Sequence, residues 1–577
     1  MAQDGILRHT LCSKGGLMRR RTFLKQSAFA LVGTASSRWP WIEVTPSFDV
    51  VIKGGTILDG TGGPAWRADL GTRGDTIAAI GEIAASQGRR AVDVTGLYVA
   101  PGFIDIHTHS DGQILAYPTA DSRVRQGITT EITGNCGSSA APLVGVRADE
   151  RRRAWRERTG LDASWTDVAS YFERLEEVGI SINQALLLGQ GTLRQNLIGL
   201  VDRPLTADEL RVILRAVEEG MEQGALGLST GLEYTPGQYT PTEEIVAMAR
   251  VVARRGGFYA SHIRNEEAAL LEAIDEAIDI GRQTGVRVEV SHLKAAGRPN
   301  WRKQRAAIEL IESARKDGVN VLADAYPYTA YSTGLTIFLE AWAREGGAAA
   351  IVERLRQPSA RARIRKEVEA RVESDPGDYK LIVISRVQTT ANQWTVGKNL
   401  VEIADRWRVE PVDALLRLIE EERGAVSFIG HGMSPQNVEM VLRHPLVMIG
   451  SDGSSMAPVG PAARTRPHPR SYGTCPRVLG VYVRERKLFD LPTAIRKMTS
   501  MPADQAGIVD RGRIARGMKA DLVIFDARTV RDRATFQNPH QYPVGIVHVL
   551  VNGTFVVEDG EHTGARPGRV LRGSCRG

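Results

Sequence analysis

The sequence predicts an α/β protein: a (β/α)8 TIM-type barrel with a small β-sandwich built from both chain ends and a lid insertion. Three observations carry this. Eight short apolar runs recur through the middle of the chain, at 103–107, 129–133, 183–188, 225–229, 258–262, 287–292, 320–326 and 447–452. Amphipathic stretches separate several of them. In Glu267-Ala-Ala-Leu-Leu-Glu-Ala-Ile-Asp-Glu-Ala-Ile-Asp-Ile280 the apolar residues fall three and four apart, the helical period. The 59 glycines suit the many tight turns that such an alternation needs. Strand and helix alternating eight times argue for a closed parallel barrel, with an open parallel sheet as the alternative.

Before the first of these runs, short segments such as Asp49-Val-Val-Ile-Lys53, Thr76-Ile-Ala-Ala-Ile80 and Ala91-Val-Asp-Val94 are separated by Gly and Asp turns. Near the other end, Gly517-Met-Lys-Ala-Asp-Leu-Val-Ile-Phe525 and the apolar run from Val544 to Val557 repeat that style. Residues 48–100 and 505–565 are therefore expected to form one composite sandwich around a barrel at 101–504. The connection between the seventh and eighth runs is oversized. Residues 333–425 within it carry helical patterns and the run Leu381-Ile-Val-Ile-Ser385, and are expected to cover the active face as a lid.

At 577 residues the chain is too long for one simple core, and 42% hydrophobic with 24% charged residues is ordinary for a globular protein. The formal charge of +7 is unevenly placed: residues 1–37 hold six basic side chains against Asp4 alone. The near-neutral remainder removes any charge-based case for a nucleic-acid partner. Arg20-Arg21-Thr-Phe-Leu-Lys25, an apolar run at 28–35 and the small residues Thr34-Ala-Ser-Ser37 follow in the order of a twin-arginine export signal. Residues 1–37 are expected to direct the protein to the periplasm or the exterior, with Met18 as an alternative start. The apolar run is too short to span a bilayer, and the mature chain is expected to have no integral membrane segment. Four cysteines, Cys12, Cys136, Cys475 and Cys575, make no disulfide framework.

The chemistry sits at the ends of the runs. On a strand, His107 and His109 point to the same face. Cys136 follows the second run, His262 and His292 end the fifth and sixth, and Asp452 ends the eighth. A parallel barrel gathers such ends at one rim, where active sites are built. Six polar, metal-competent residues there are hard to explain as core, because unpaired buried polar groups are costly. A thiolate with two imidazoles leaves the fourth position that catalytic zinc keeps for water, whose pKa then drops to roughly 7. Asp452 can take that proton and pass it to a leaving group, or serve as a fourth ligand or an anchor for a histidine. His107 and His109 would make a second, weaker site.

Taken together, the residues resemble the amidohydrolase superfamily and, within it, the N-acyl-D-amino-acid deacylases (D-aminoacylases), from about Phe48 to Gly560. The markers are Pro101-Gly-Phe-Ile-Asp-Ile-His-Thr-His109, Gly134-Asn-Cys-Gly137, Gly227-Leu-Ser-Thr-Gly231, Ser261-His-Ile-Arg-Asn-Glu266, Ser291-His-Leu-Lys294, Tyr326-Pro-Tyr328, Gly450-Ser-Asp-Gly453 and His468-Pro-Arg470. The resemblance implies that Cys136, His262 and His292 hold the tight zinc, that His107 and His109 belong to the second site, and that Asp452 is the general base and acid. It implies a small-molecule N-acyl amino acid substrate, whose α-carboxylate would be gripped by Lys294, Tyr326, Ser332 and Arg470. Cleavage would release a D-amino acid and a carboxylate. One departure is Cys475 before Pro476, where the family pattern leads one to expect Phe. Three rivals remain: a cyclic-amide hydrolase, against which Cys136 in place of a bridging lysine counts; a serine hydrolase using Ser229 of the Gly-x-Ser-x-Gly pattern; and a non-catalytic binding relative.

Overall fold

Eight parallel strands form the central sheet of the computed structural model, which describes residues 46–573; the export segment expected at 1–37 lies outside them. The strands are β1 (Phe103–Asp105), β2 (Ile128–Thr133), β3 (Asn183–Gly189), β4 (Gly227–Gly231), β5 (Phe258–His262), β6 (Arg287–Val290), β7 (Val321–Ala325) and β8 (Val447–Ile449). They pair in sequence order, each in parallel with the next. A bridge between Thr108 and Gly453 closes the ring, with the amide of Asp452 donating to the carbonyl of His107 at 2.8 Å. Every residue of β3 and β5 is buried, as expected of strands covered on both faces. Leu186, Leu187 and Leu188 are fully buried, each contributing roughly 1.5–3 kcal/mol of transfer free energy.

Helices return the chain between strands. Ala207–Glu222 opens on a capping box in which Thr206 and Glu209 each accept the other's backbone amide. The helix expected from Glu267 instead runs Leu270–Thr284. Its start is delayed because Asn265 Oδ1 accepts the amides of Glu267 and Ala269, holding 265–269 as a turn. Beneath the rim, Arg123 is completely buried. Its Nε donates to Glu131 at 2.6 Å, and its Nη2 pairs with Asp105 and reaches Ser451 at 2.9 Å, tying β1 and β2 to the loop after β8.

Strands from both chain ends are hydrogen-bonded into one nine-stranded sheet, in which Tyr98–Pro101 runs antiparallel to Leu522–Phe525. The strand Phe48–Ile57 pairs antiparallel with Trp66–Arg73, with a register shift between Ile52 and Gly55; in parallel, its first half pairs with Gly88–Asp93 and its second with Tyr98 and Val99. The sheet has its own core, which includes Ile52, Ile57, Leu522 and Ile524. Between β7 and β8 stands a separate layer. Tyr331–Gly334, Ser427–Gly430 and Ile382–Arg386 make an antiparallel sheet. The helices Ala348–Arg356, Pro358–Ser374 and Pro411–Glu421 pack on it through a second core that includes Ile364, Leu415 and Phe428. Among the described residues no helix is long and apolar enough to cross a membrane.

Candidate metal centre and active site

Closure of the barrel brings the predicted side chains to one place. His107 Nε2 lies 3.3 Å from the Cys136 sulfur, and His292 Nε2 lies 3.6 Å from it. His262 Nδ1 is 2.8 Å from His292 Nε2. His109 Nε2 meets Asp452 Oδ1 at 2.9 Å, and His107 Nε2 is 3.7 Å from the same oxygen. His107, Cys136 and His292 form one group of converging donors; His107, His109 and Asp452 form another. Cys136 therefore stands between the two sets of histidines rather than beside one of them.

Three of these residues occupy left-handed backbone: Cys136 at φ 51°, His292 at 37° and Asp452 at 50°. Non-glycine residues hold such angles only where surrounding structure fixes them, a common feature of functional sites. The Cys136 turn is held by its glycines. A Cβ on Gly134 would fall 2.1 Å from the Leu187 carbonyl, and one on Gly137 would fall 2.6 Å from the Gly231 amide. Ser229 is part of the same support. It is fully buried, accepts the Gly137 amide at 3.0 Å and donates to the Gly134 carbonyl. It braces the cysteine loop, with its hydroxyl proton already given to the Gly134 carbonyl.

Sequence reasoning missed the carboxylates behind the ligands. Asp324 on β7 accepts from His107 Nδ1 at 3.1 Å, Glu233 meets His262 Nε2 at 3.2 Å, and Glu266 meets His292 Nδ1 at 2.9 Å. Each fixes the ring that presents the opposite nitrogen to the centre. The available signal for Asp324, and for Glu289 beside it, was an acid inside an apolar parallel-strand run, where a charge needs a partner.

A thiolate with imidazoles is a donor set that suits zinc. For zinc–ligand bonds of ~2.0–2.3 Å a tetrahedron has edges of roughly 3.3–3.7 Å; the Cys136 sulfur lies within that range of His107 and His292, whereas His262 and His292 at 2.8 Å stand closer than such an edge. Electrostatics agree. Burial works against every charge here, yet Asp324 and Cys136 hold the His107 imidazole well above its ordinary value, and Asp452 and Cys136 raise His109 to about 9. The Cys136 thiol is pushed up by burial and pulled further down by His107, His109 and His262, ending well below the usual thiol range. Protons thus gather on the imidazoles of a site rich in negative charge, which is where a cation belongs.

Around this centre, Asp452 Oδ2 pairs with Arg470 Nη1 at 2.8 Å, and that guanidinium, against the opposing effect of burial, keeps the carboxyl well below its usual range. Arg470 also lies 4.9 Å over the Tyr326 ring and donates to the Ser332 carbonyl at 3.3 Å. Lys294 is buried against Glu266, with its Nζ 2.9 Å from His292 Nδ1. Ser332 donates its hydroxyl to the Phe428 carbonyl at 2.8 Å. Of the other histidines near the rim, His468 is structural, hydrogen-bonded to the Ala330 carbonyl and the Arg470 amide. Cys475 is buried in the main core and does not line the cleft. The centre opens into a cleft of about 1610 Å³ bordered by His109, Cys136, Ser332, Asp452 and Arg470.

A model of the amidohydrolase family matches residues 90–557. N-acyl-D-glutamate deacylase of Alcaligenes xylosoxydans xylosoxydans is 39% identical over 526 residues, 91% of this chain and 96% of that protein. The chain belongs to the amidohydrolase family, in its N-acyl-D-amino-acid deacylase branch. Two solved structures place this amidohydrolase in the same company. The N-acyl-D-glutamate deacylase of Bordetella bronchiseptica, complexed with zinc and a phosphonate mimic of the tetrahedral intermediate, is 37% identical with a TM-score of 0.77, covering 91% of this chain and all of that one. A D-aminoacylase with a binuclear metal centre, described by one-metal activation and second-metal attenuation, is 35% identical with the same TM-score and coverage. This amidohydrolase is a metal-dependent enzyme of zinc chemistry acting on linear amides.

Proposed function

We propose that this amidohydrolase cleaves N-acyl-D-amino acids to a free D-amino acid and a carboxylate. The observation that carries the reading is the position of Asp452. One of its oxygens faces the metal donors through His109, and the other faces Arg470, a cation shaped for a carboxylate. An N-acyl amino acid carries its amide and its α-carboxylate on one carbon, which suits a base placed between the two. Handedness is supported by the relatives, which are deacylases of D-amino acids.

Cys136, His262 and His292 would hold the tight zinc, and His107 with His109 the weaker ion. Zinc bound there would polarise the scissile carbonyl and bring the pKa of water to roughly 7. Asp452, already ionised, accepts the proton from water and returns it to the departing amine nitrogen. Arg470 and Lys294 take the α-carboxylate, with the Tyr326 and Ser332 hydroxyls as donors. As the carboxylate engages Arg470, Asp452 loses the partner that does most to lower its pKa and becomes the stronger base. The direct test compares N-acetyl-D- and N-acetyl-L-amino acids as substrates of the zinc-loaded enzyme. Turnover of the D series with the L series inert is expected, and selective L cleavage overturns the reading.

The paired arginines of residues 1–37 support export through the twin-arginine route, so that the enzyme works in the periplasm or outside the cell on small N-acyl amino acids. Replacing Arg20 and Arg21 by Lys is expected to leave the protein in the cytoplasmic fraction; unchanged export overturns this assignment.

A further inference from the structure

Beside the metal centre, on the side of Lys294 and Tyr326, lies a second, smaller cavity of about 40 Å³. At roughly 10–15 Å³ per water it has room for about three water-sized groups, the head of an extended side chain. Its wall is acidic. Glu233, Glu266, Glu267, Asp375 and Asp452 line it, and Lys294, Arg371 and the imidazoles of His262 and His292 stand against them. Lys294 is occupied by Glu266, and Arg371 is shared between Glu233 and Glu267, the latter at 3.0 Å. Asp375 accepts the Tyr331 hydroxyl through Oδ2, while its Oδ1 is buried and has no hydrogen-bond partner. Glu267 and Asp375 are 6% and 5% exposed. Glu233, Glu266 and Glu267 each have a basic partner, and among the described residues Asp375 has no ion pair, so its buried Oδ1 is the acid oxygen left for a ligand to complete.

We propose that this cavity receives a cationic side chain, an ammonium or guanidinium, of the D-amino acid, with Glu267 and Asp375 as its specificity residues. The inference rests on the proposed deacylase reading, in which Lys294 and Tyr326 hold the α-carboxylate. The side chain leaves the same carbon as that carboxylate, so it falls beside those two residues, where the acids are. The acyl group lies across the scissile bond, toward the open cleft. Burial supports the charge argument, since it pushes Glu267 up to about 8 and Asp375 up to about 6, and an arriving cation stabilises their ionised forms. An anionic side chain is disfavoured here, because Arg371 is shared between Glu233 and Glu267 and Lys294 is engaged by the α-carboxylate. Substrate choice is thereby set apart from that of the similar D-glutamate deacylases.

The test is kcat/KM of the zinc-loaded full chain on N-acetyl-D-arginine, its neutral isostere N-acetyl-D-citrulline, and N-acetyl-D-glutamate. Arginine is expected to exceed citrulline by about tenfold or more, the scale of one favourable charge contact, with glutamate slowest. In Glu267→Gln/Asp375→Asn the ratio of arginine to citrulline kcat/KM is expected to shrink to about twofold, since the charge contact that arginine alone makes is removed. Equal arginine and citrulline turnover in the unmodified enzyme, a preference for glutamate, or an arginine preference untouched by the double variant each overturns the inference. The unmodified comparison decides even if the variant does not fold. Absence of turnover on all three compounds overturns the deacylase reading as well, whereas citrulline turnover without arginine preference overturns this inference alone.

Discussion

Cys136 shows how much a single residue depends on its surroundings. Its left-handed backbone, the glycines at 134 and 137 and the Ser229 hydroxyl hold the sulfur at the meeting point of His107 and His292. Cys136→Ala removes the one thiolate, and metal analysis of the purified variant is expected to find the zinc lost. Asp452→Asn keeps the shape but cannot accept a proton. It is expected to retain zinc while kcat falls about 10²–10⁴-fold, the range for a lost general base, and unimpaired turnover would move the base elsewhere. Glu267 offers a pH prediction. Burial, helped by Glu233 and Asp375 and opposed by Arg371, raises its folded-state pKa from 4.5 to about 8. The folded protein binds this proton more tightly than the unfolded chain, so the stabilisation is present below about pH 4.5 and fades as pH rises through about 8. Between pH 5 and 8 the unmodified protein is expected to lose thermal stability relative to Glu267→Gln; parallel stability curves would contradict the assignment.

At the scale of elements, the eight barrel strands were legible because parallel strands buried on both faces read as continuous apolar runs. The side chains that converge at the rim were legible because they sit at the ends of those runs. The carboxylates behind them were not, for two reasons. Glu233 lies in the loop after β4, where no period marks it, and Asp324 gains its meaning only once barrel closure brings β7 beside His107. The helix start at Leu270 was missed because the apolar period continues through a turn that a single Asn265 side chain imposes. Closure itself depends on Arg123. Truncating it to Met would leave Asp105 and Glu131 buried without their cation. The expected loss is about 3–5 kcal/mol, read as a lowered unfolding midpoint with zinc content followed in parallel. Ser229→Ala, by contrast, is expected to cost roughly 1–3 kcal/mol while leaving measurable deacylation, because the hydroxyl supports the Cys136 loop and touches no substrate. Complete loss of turnover in a folded, zinc-loaded Ser229→Ala protein would revive the serine mechanism.

The whole molecule joins a barrel that carries the metal donors, a sheet drawn from both chain ends, and an insertion whose Arg371 and Asp375 complete the wall of the active cavity. The metal centre is common property of the barrel rim. The insertion supplies Arg371 and Asp375 to the cavity wall, and insertion sequences carry no periodic signal from which such a wall can be read. The central claim is that Cys136, the four histidines around it and the Asp452 carboxylate form a zinc site for D-selective deacylation. The measurement that tests it most directly is turnover of matched N-acetyl-D- and N-acetyl-L-amino acids by one preparation, before chelation, after chelation and after return of zinc. The account predicts D-selective activity that disappears with the metal and returns with it. Full activity in metal-free protein, or selective cleavage of the L series, would contradict it.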